Sequence, residues 1–325
     1  MPGEMPSEAD LSATTAAMRR VADNVERVIA GNREQVEAAV VCLFAEGNLL
    51  LEGVPGVGKT MLARALAASI DGTFHRVQAT PDLLPSDLTG ISVYDQSSGQ
   101  FRFVPGPVFA NVVLVDEINR TTPRTQSALL EPMEERQVTV EGVTHPLPRP
   151  YLVVATENPV DQHGTYPLPE GQLDRFMMTV YVGYPSDFAA AKIVRRQLVT
   201  HPFDALEAVV AASEVVEHQR MVRGVHVDDA IVEYVVALAT ATRDHADVLL
   251  GASPRAMVAL THAAQGHAAL RGRAFVLPDD VKAVASSALA HRIVSRTRGS
   301  VASGTGRDVV RDLLERVPVP LGVSR

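Results

Sequence analysis

The sequence predicts an α/β fold, a three-layer αβα sandwich on a parallel sheet, followed by a C-terminal all-α domain. Three observations carry that prediction. An apolar run, a glycine-rich loop and a strong helix former follow one another between residues 48 and 70. Further apolar β-forming runs alternate with helical patterns up to about residue 185, the signature of a sheet covered on both faces. Beyond Tyr184-Pro185-Ser186 the pattern is helical throughout, which places a domain boundary there.

In chain order, residues 1–15 are rich in Pro, Ser, Glu and Ala and are expected to be disordered. Apolar positions then recur at helical spacing over residues 15–29, and a second helix is predicted for 33–46. Val28, Ile29 and Gly31, in the turn between them, are candidates to line an adenine pocket. Asn48-Leu49-Leu50-Leu51-Glu52 reads as a buried strand, and residues 60–70 as a helix stopped by Asp71-Gly72.

Between strand and helix lies Gly53-Val54-Pro55-Gly56-Val57-Gly58-Lys59-Thr60, which fits the full phosphate-loop pattern. Glycines let backbone N–H groups converge on phosphate oxygens, and the helix N-terminus adds its positive end. Gly53, Pro55, Gly56, Val57, Gly58 and Met61 are therefore assigned to nucleotide contact. Lys59 can reach the β- and γ-phosphates, and Thr60 can ligate Mg²⁺.

Residues 73–78 read as the next strand, and residues 80–110 as an insertion holding helical turns and a strand-like run at 100–104. Val112-Val113-Leu114-Val115-Asp116-Glu117 follows, a buried strand with two acids at its C-terminal edge, where ligands collect in such sheets. Asp116 is placed as the Mg²⁺ ligand and Glu117 as the general base that polarises a water. A helix is predicted over 123–135, with Pro132 expected to kink or end it, then a β-hairpin beginning at 136. The strand at 151–155 leads to Asn158, placed to orient the attacking water. Arg175, after a short helix and before the strand at 177–182, is either a surface arginine or one that reaches a neighbouring subunit's γ-phosphate.

The second domain is expected to hold helices at about 187–199, 205–218, 228–246, 254–271 and 278–294, a Gly/Ser linker at 298–307 and a last helix at 308–317. In Ser253-Pro254-Arg255 the serine caps, the proline takes the first helical position, and Arg255 opposes the helix dipole. A phosphate is a candidate to compensate it. The basic group His291, Arg292, Arg296 and Arg298 reads as a solvated helix end.

Composition narrows the function classes. A length of 325 residues suggests two domains or three, and 46% hydrophobic with 21% charged residues is ordinary for a globular chain. No apolar run has membrane-spanning length, and the acidic N-terminus lacks the apolar core of a secretory signal. The single Cys42 fits a reducing cytoplasm and reads as a core thiol. A net charge of −8 and scarce aromatics argue against a nucleic-acid surface.

Taken together these segments resemble the MoxR family of AAA+ ATPases, over about residues 28–294. The specific runs are Thr80-Pro81-Asp82-Leu83-Leu84-Pro85-Ser86-Asp87-Leu88-Thr89-Gly90, Pro105-Gly106-Pro107-Val108-Phe109-Ala110-Asn111, Asp116-Glu117-Ile118-Asn119-Arg120, Thr125-Gln126-Ser127-Ala128-Leu129-Leu130, Gly164-Thr165-Tyr166-Pro167-Leu168-Pro169-Glu170 and Gln172-Leu173-Asp174-Arg175-Phe176. The resemblance implies a nucleotide domain at 16–185, with 80–110 as the helix-two insertion and 136–150 as the presensor hairpin, and a lid at 186–298 followed by linker and terminal helix at 299–325. It assigns Asn158 as the sensor-one residue, Arg175 as the arginine finger and Arg255 as the sensor-two arginine. It further implies ATP and Mg²⁺ as cofactors and a homo-oligomeric, usually hexameric, ring. Such rings mature, assemble or insert metal cofactors into client proteins, often with partners carrying von Willebrand A domains. The chain departs from the family at Glu157, where Gln is usual, at Thr121-Thr122, where Ala-Pro is typical, and at Pro132, where Ala is usual. A nucleic-acid-remodelling motor and a chelatase-type motor subunit are the alternatives that share this architecture.

Overall fold

The structure, a computed structural model, describes residues 7–159, 164–198, 202–296 and 302–319. Among the described residues five strands form one parallel sheet: β1 (Leu49–Glu52), β2 (Phe74–Gln78), β3 (Val112–Asp116), β4 (Leu152–Glu157) and β5 (Met178–Tyr181). Their spatial order is β5-β1-β4-β3-β2. β1 and β3 are buried along their whole length, which is why they read as continuous apolar runs rather than alternating ones. Alternate residues feed two cores. Leu49, Leu51, Val112 and Leu114 face one, with helices α1 (Glu8–Glu26), α2 (Arg33–Phe44) and α3 (Lys59–Ala68). Leu50, Val113, Val115 and Val153 face the other, with Phe176.

The N-terminal helix begins well before residue 15. Ser7 caps it by accepting a hydrogen bond from Asp10 N at 3.2 Å, and Glu8 and Asp10 favour its first turn. Leu11, Thr14 and Thr15 are buried, and Thr15 Oγ1 donates to Ala269 O of the second domain at 2.8 Å. The expected disorder of residues 7–15 is thus corrected: polar composition hid a face that tertiary contact buries. Residues 1–6 lie outside the described residues.

The helix read over 123–135 is two, α4 (Pro123–Ser127) and α5 (Leu130–Glu135). The break falls at Ala128-Leu129, the turn whose carbonyl Pro132 cannot bond and would crowd. Pro132 itself sits in the first turn of α5, where no N–H partner is needed. The following hairpin, Gln137–Val140 with Val143–Pro146, turns at Glu141 (φ 51°) and Gly142 (φ 81°). Within residues 80–110 lie a short helical segment, Pro85–Thr89, and a second hairpin, Gly90–Asp95 with Gln100–Pro105, of which the sequence reading found only the second strand.

After α6 (Glu170–Leu173) and β5, the helical domain holds α7 (Asp187–Gln197), α8 (Ala212–Arg223), α9 (Asp229–Asp244), α10 (Pro254–Leu270), α11 (Pro278–Leu289) and α12 (Ala302–Arg316). The helix expected over 205–218 starts later. Val210–Ala211 pairs with Ile70–Asp71 as a short parallel bridge, and Glu214 caps the following helix by accepting from Ala211 N at 2.8 Å. The terminal helix starts earlier than the predicted linker allowed. Gly306 belongs to a close contact, since a Cβ there would lie 2.3 Å from Ala290 O. Residues 297–301 and 320–325 lie outside the described residues, and with them part of the expected linker.

Arg292 and His291 are not a solvated helix end. Arg292 is 7% exposed and donates to Asp174 Oδ1 and Phe176 O, both at 2.7 Å. His291 is half-buried, with Nε2 3.1 Å from Phe176 O, and desolvation of its ring holds its pKa well below the ordinary value. Arg292 is a staple between the helical domain and the sandwich. Among the described residues no helix is long and apolar enough to cross a membrane.

Candidate functional site

β1 delivers the glycine loop to the C-terminal edge of the sheet. Gly53 cannot be replaced by a larger residue without collision: its φ is 150° and a Cβ would lie 2.2 Å from Val182 O. Gly58, with φ 100°, turns the chain into α3 in a conformation that L side chains rarely adopt. Lys59 is buried, and its Nζ donates to Gly53 O and, at 3.0 Å, to Val54 O.

The other wall of the cleft comes from β2, β3 and β4. Pro55, Gly56, Val57, Gly58, Lys59, Thr60 and Met61 line it together with Asp116 and Glu117. Thr60 Oγ1 donates to Asp116 Oδ1 at 3.0 Å, across 56 positions of sequence. Asp116 is 3% exposed; it also accepts from Thr156 Oγ1 at 3.2 Å and from Arg76 Nε at 2.7 Å. Glu117 takes a left-handed conformation (φ 57°, ψ 50°), fixed by its N–H donating to Thr156 Oγ1 at 2.8 Å. Its Oε2 pairs with Arg120 Nε at 2.8 Å and accepts from Gln78 Nε2 at 3.4 Å. A non-glycine residue held at positive φ beside a strand edge is strained, and such strain gathers at functional sites.

The donor set fits a hard cation. A hydroxyl and one buried carboxylate, with a phosphate cleft beside them, offer oxygen ligands while leaving most of the coordination shell to phosphate and water, as Mg²⁺ prefers. The described residues contain no cluster of three or more His, Cys, Asp or Glu that could hold a metal.

Three residues of this cleft, Arg76, Gln78 and Thr156, were absent from the sequence reading. Their signal was positional: Gln78 stands opposite Asp116 in the sheet register, so the end of β2 had to share the ligand edge. Asn158 is buried one residue past β4, its carbonyl accepting from Asn119 Nδ2 at 3.4 Å. It does not line the cleft.

A second, more apolar pocket adjoins the loop. Val28, Ile29, Ala30, Asn32, Pro185 and Ile193 line it, and it shares Gly56, Val57, Gly58 and Met61 with the loop cleft. Gly31 does not line it; with φ 82° it makes room for Ala189, whose Cβ would lie 2.7 Å from an added Cβ.

Arg175 and Arg255 are brought together, but not at their own loop. Both pair with Glu134: Arg175 Nε at 2.9 Å from Oε2, and Arg255 Nη2 on Oε1. They line a different cleft, along with Asp174, Met133 and Arg292. The cation in the first turn of α10 is therefore compensated here by a carboxylate rather than a phosphate. The cause is the docking of the helical domain. Ser253 Oγ, which caps α10, donates to Asp174 Oδ2 at 3.1 Å, and Arg292 holds the same carboxylate.

The chain is similar to known proteins along most of its length. The family model described as ATPase family associated with various cellular activities (AAA) matches residues 48–178, and the AAA lid domain matches 240–313. The chain is 46% identical to YeaC of Bacillus subtilis, over 93% of this chain and 94% of that protein. It is 40% identical to the chaperone MoxR1 of Mycobacterium tuberculosis, over 95% and 84%. It is 31% identical to the protein MoxR of Methylorubrum extorquens, over 97% and 98%. A crystal structure of a candidate ATPase from Cytophaga hutchinsonii superposes with a TM-score of 0.86 at 37% identity, covering 96% of this chain and 98% of that one.

Proposed function

The chain belongs to the MoxR family of AAA+ ATPases, and on that premise we propose that it is an ATP-hydrolysing, chaperone-like motor that works as a homo-oligomeric ring, a cytoplasmic hexamer. The observation that carries the reading is a separation of parts. Loop, hydroxyl and acids share one cleft, whereas Arg175 and Arg255 sit in another. A second copy that presents this arginine cleft to the loop of the first would complete the site.

In that reading the backbone of Gly56 and Gly58 and the Lys59 ammonium hold the β- and γ-phosphates, and Val28 and Ile29 pack on the adenine. Thr60 and Asp116 would hold Mg²⁺, which when bound neutralises phosphate charge. Glu117, released from Arg120 and Gln78, takes a proton from the attacking water, and Asn158, buried just past β4 and outside the cleft lining, would turn its side chain toward that water to orient it. Arg175 and Arg255 of the neighbour offset charge that develops on the γ-phosphoryl oxygens. The lid follows the nucleotide state and moves the two hairpins against a client protein. Maturation of that client, insertion of its metal cofactor and recruitment by a von Willebrand A domain partner belong to the same proposal, which rests for these on family resemblance.

Purified protein tests the chemistry. Lys59→Ala should lose ATP turnover through lost binding, and Glu117→Gln should keep ATP binding while turnover falls by about 100-fold or more. Ordinary turnover by the Glu117→Gln protein would sink the assignment. Affinity capture with that variant and ATP, followed by identification of what stays bound, addresses the client.

A further inference from the structure

We propose that Glu134 is a positioning residue that clips Arg175 of the sandwich and Arg255 of the lid into one two-guanidinium receptor for the γ-phosphate of a neighbouring copy. The inference rests on the ring reading above and extends it to a residue and a mechanism of coupling.

The geometry is specific. One carboxylate takes both cations, Oε2 from Arg175 Nε at 2.9 Å and Oε1 from Arg255 Nη2. Arg175 Nη1 donates to Gly171 O at 2.9 Å, which fixes the plane of its guanidinium. The other donors, Nη2 of Arg175 and Nε and Nη1 of Arg255, make no hydrogen bond among the described residues. Two charges against one leave the unit net positive, with free N–H groups in an open cleft. That composition suits an anion of more than one oxygen, because arginine forks bind phosphate oxygens in planar pairs.

The two arginines come from different domains, and without Glu134 their positive charges would repel. Asp174 ties the same two elements together. It precedes Arg175 in sequence, holds the cap of the helix that carries Arg255, and accepts from the buried Arg292. Sandwich and lid helix are thereby joined at two carboxylates, Glu134 and Asp174. A lid shift that carries Arg255 must pull on Glu134 and so on Arg175. The receptor forms or breaks as a unit, which couples lid position in one copy to hydrolysis in the next.

Glu134→Gln keeps the shape and removes the charge. Its kcat for ATP is expected to fall by about 10-fold or more while KM changes by less than about 3-fold, because the loop and adenine pocket are untouched. Mixing chains before ATP is added separates cis from trans action. Glu134→Gln should regain turnover with Lys59→Ala, which supplies intact arginines, and should gain none with Arg175→Ala, which lacks them. A folding or assembly defect would regain nothing in either mixture, and that outcome overturns the proposal. So does wild-type or higher turnover by Glu134→Gln alone, or recovery with Arg175→Ala. If Arg175→Ala itself fails to complement Lys59→Ala, the trans-arginine reading falls; if it complements and Glu134→Gln is fully active, the failure is the role of Glu134 alone.

Discussion

Burial, with the Glu52 carboxylate beside it on the next strand, pushes the Glu157 carboxyl up to about 7. A carboxyl whose folded pKa exceeds its unfolded value of 4.5 stabilises the fold below that value, and the contribution is lost as pH rises through about 7. Glu157→Gln, the side chain usual in the family, should therefore raise the unfolding temperature more at pH 8 than at pH 5. The difference is expected to be on the order of 2 kcal/mol, at about 1.4 kcal/mol per unit. Equal effects at both pH values would show that Glu157 ionises freely in the fold. That Lys59, Thr60, Asp116 and Glu117 share one cleft was legible in the sequence, because loop and strand edge are local structures that a parallel sheet brings to the same edge. Arg255 was legible as a cation in a helix's first turn that needs an anionic partner, but not which partner: the structure gives it Glu134. That partner depends on how a separate domain docks, through Ser253, Asp174 and Arg292, and no local pattern encodes a docking.

At the scale of elements, periodicity read well and composition read poorly. Strands β1, β3 and β4 announced themselves as apolar runs, and the hairpin after residue 136 by its Glu141-Gly142 turn. The first turns of α1 were hidden by polar residues, since Thr14 and Thr15 are buried with their hydroxyls hydrogen-bonded rather than solvated. This makes a prediction. Leu11→Ala should destabilise the protein by about 2–3 kcal/mol, as for a methylene-rich side chain removed from a core. Denaturant unfolding would show it, and an unchanged midpoint would restore the reading of a disordered N-terminus. Pro132 makes the opposite kind of prediction. It already occupies a first-turn position, so Pro132→Ala should alter stability by no more than about 1 kcal/mol and leave ATP turnover intact. A large loss in either would mean that the break between α4 and α5 is itself needed.

The sandwich and the helical domain share one continuous apolar core, which runs from Met18 and Val41 to Leu260 and Ala264, and buried polar contacts pin the boundary between them. Arg292 is central among them: it donates to Asp174, Phe176 and Met177 across the boundary and is almost without solvent contact. Arg292→Ala would leave Asp174 without its buried partner and is expected to cost about 3–5 kcal/mol; retention of wild-type unfolding behaviour would contradict that role. The same docking that Arg292 secures keeps the arginines away from their own phosphate loop, and the central proposal rests on it: a second copy would complete the catalytic site. The direct measurement is ATP turnover in an equimolar mixture of Lys59→Ala and Arg175→Ala chains, each inactive alone. Random assembly would pair an intact loop with an intact neighbouring arginine at about a quarter of the interfaces. Recovery of turnover toward that fraction is the predicted result, and a mixture as inactive as its components would contradict the account.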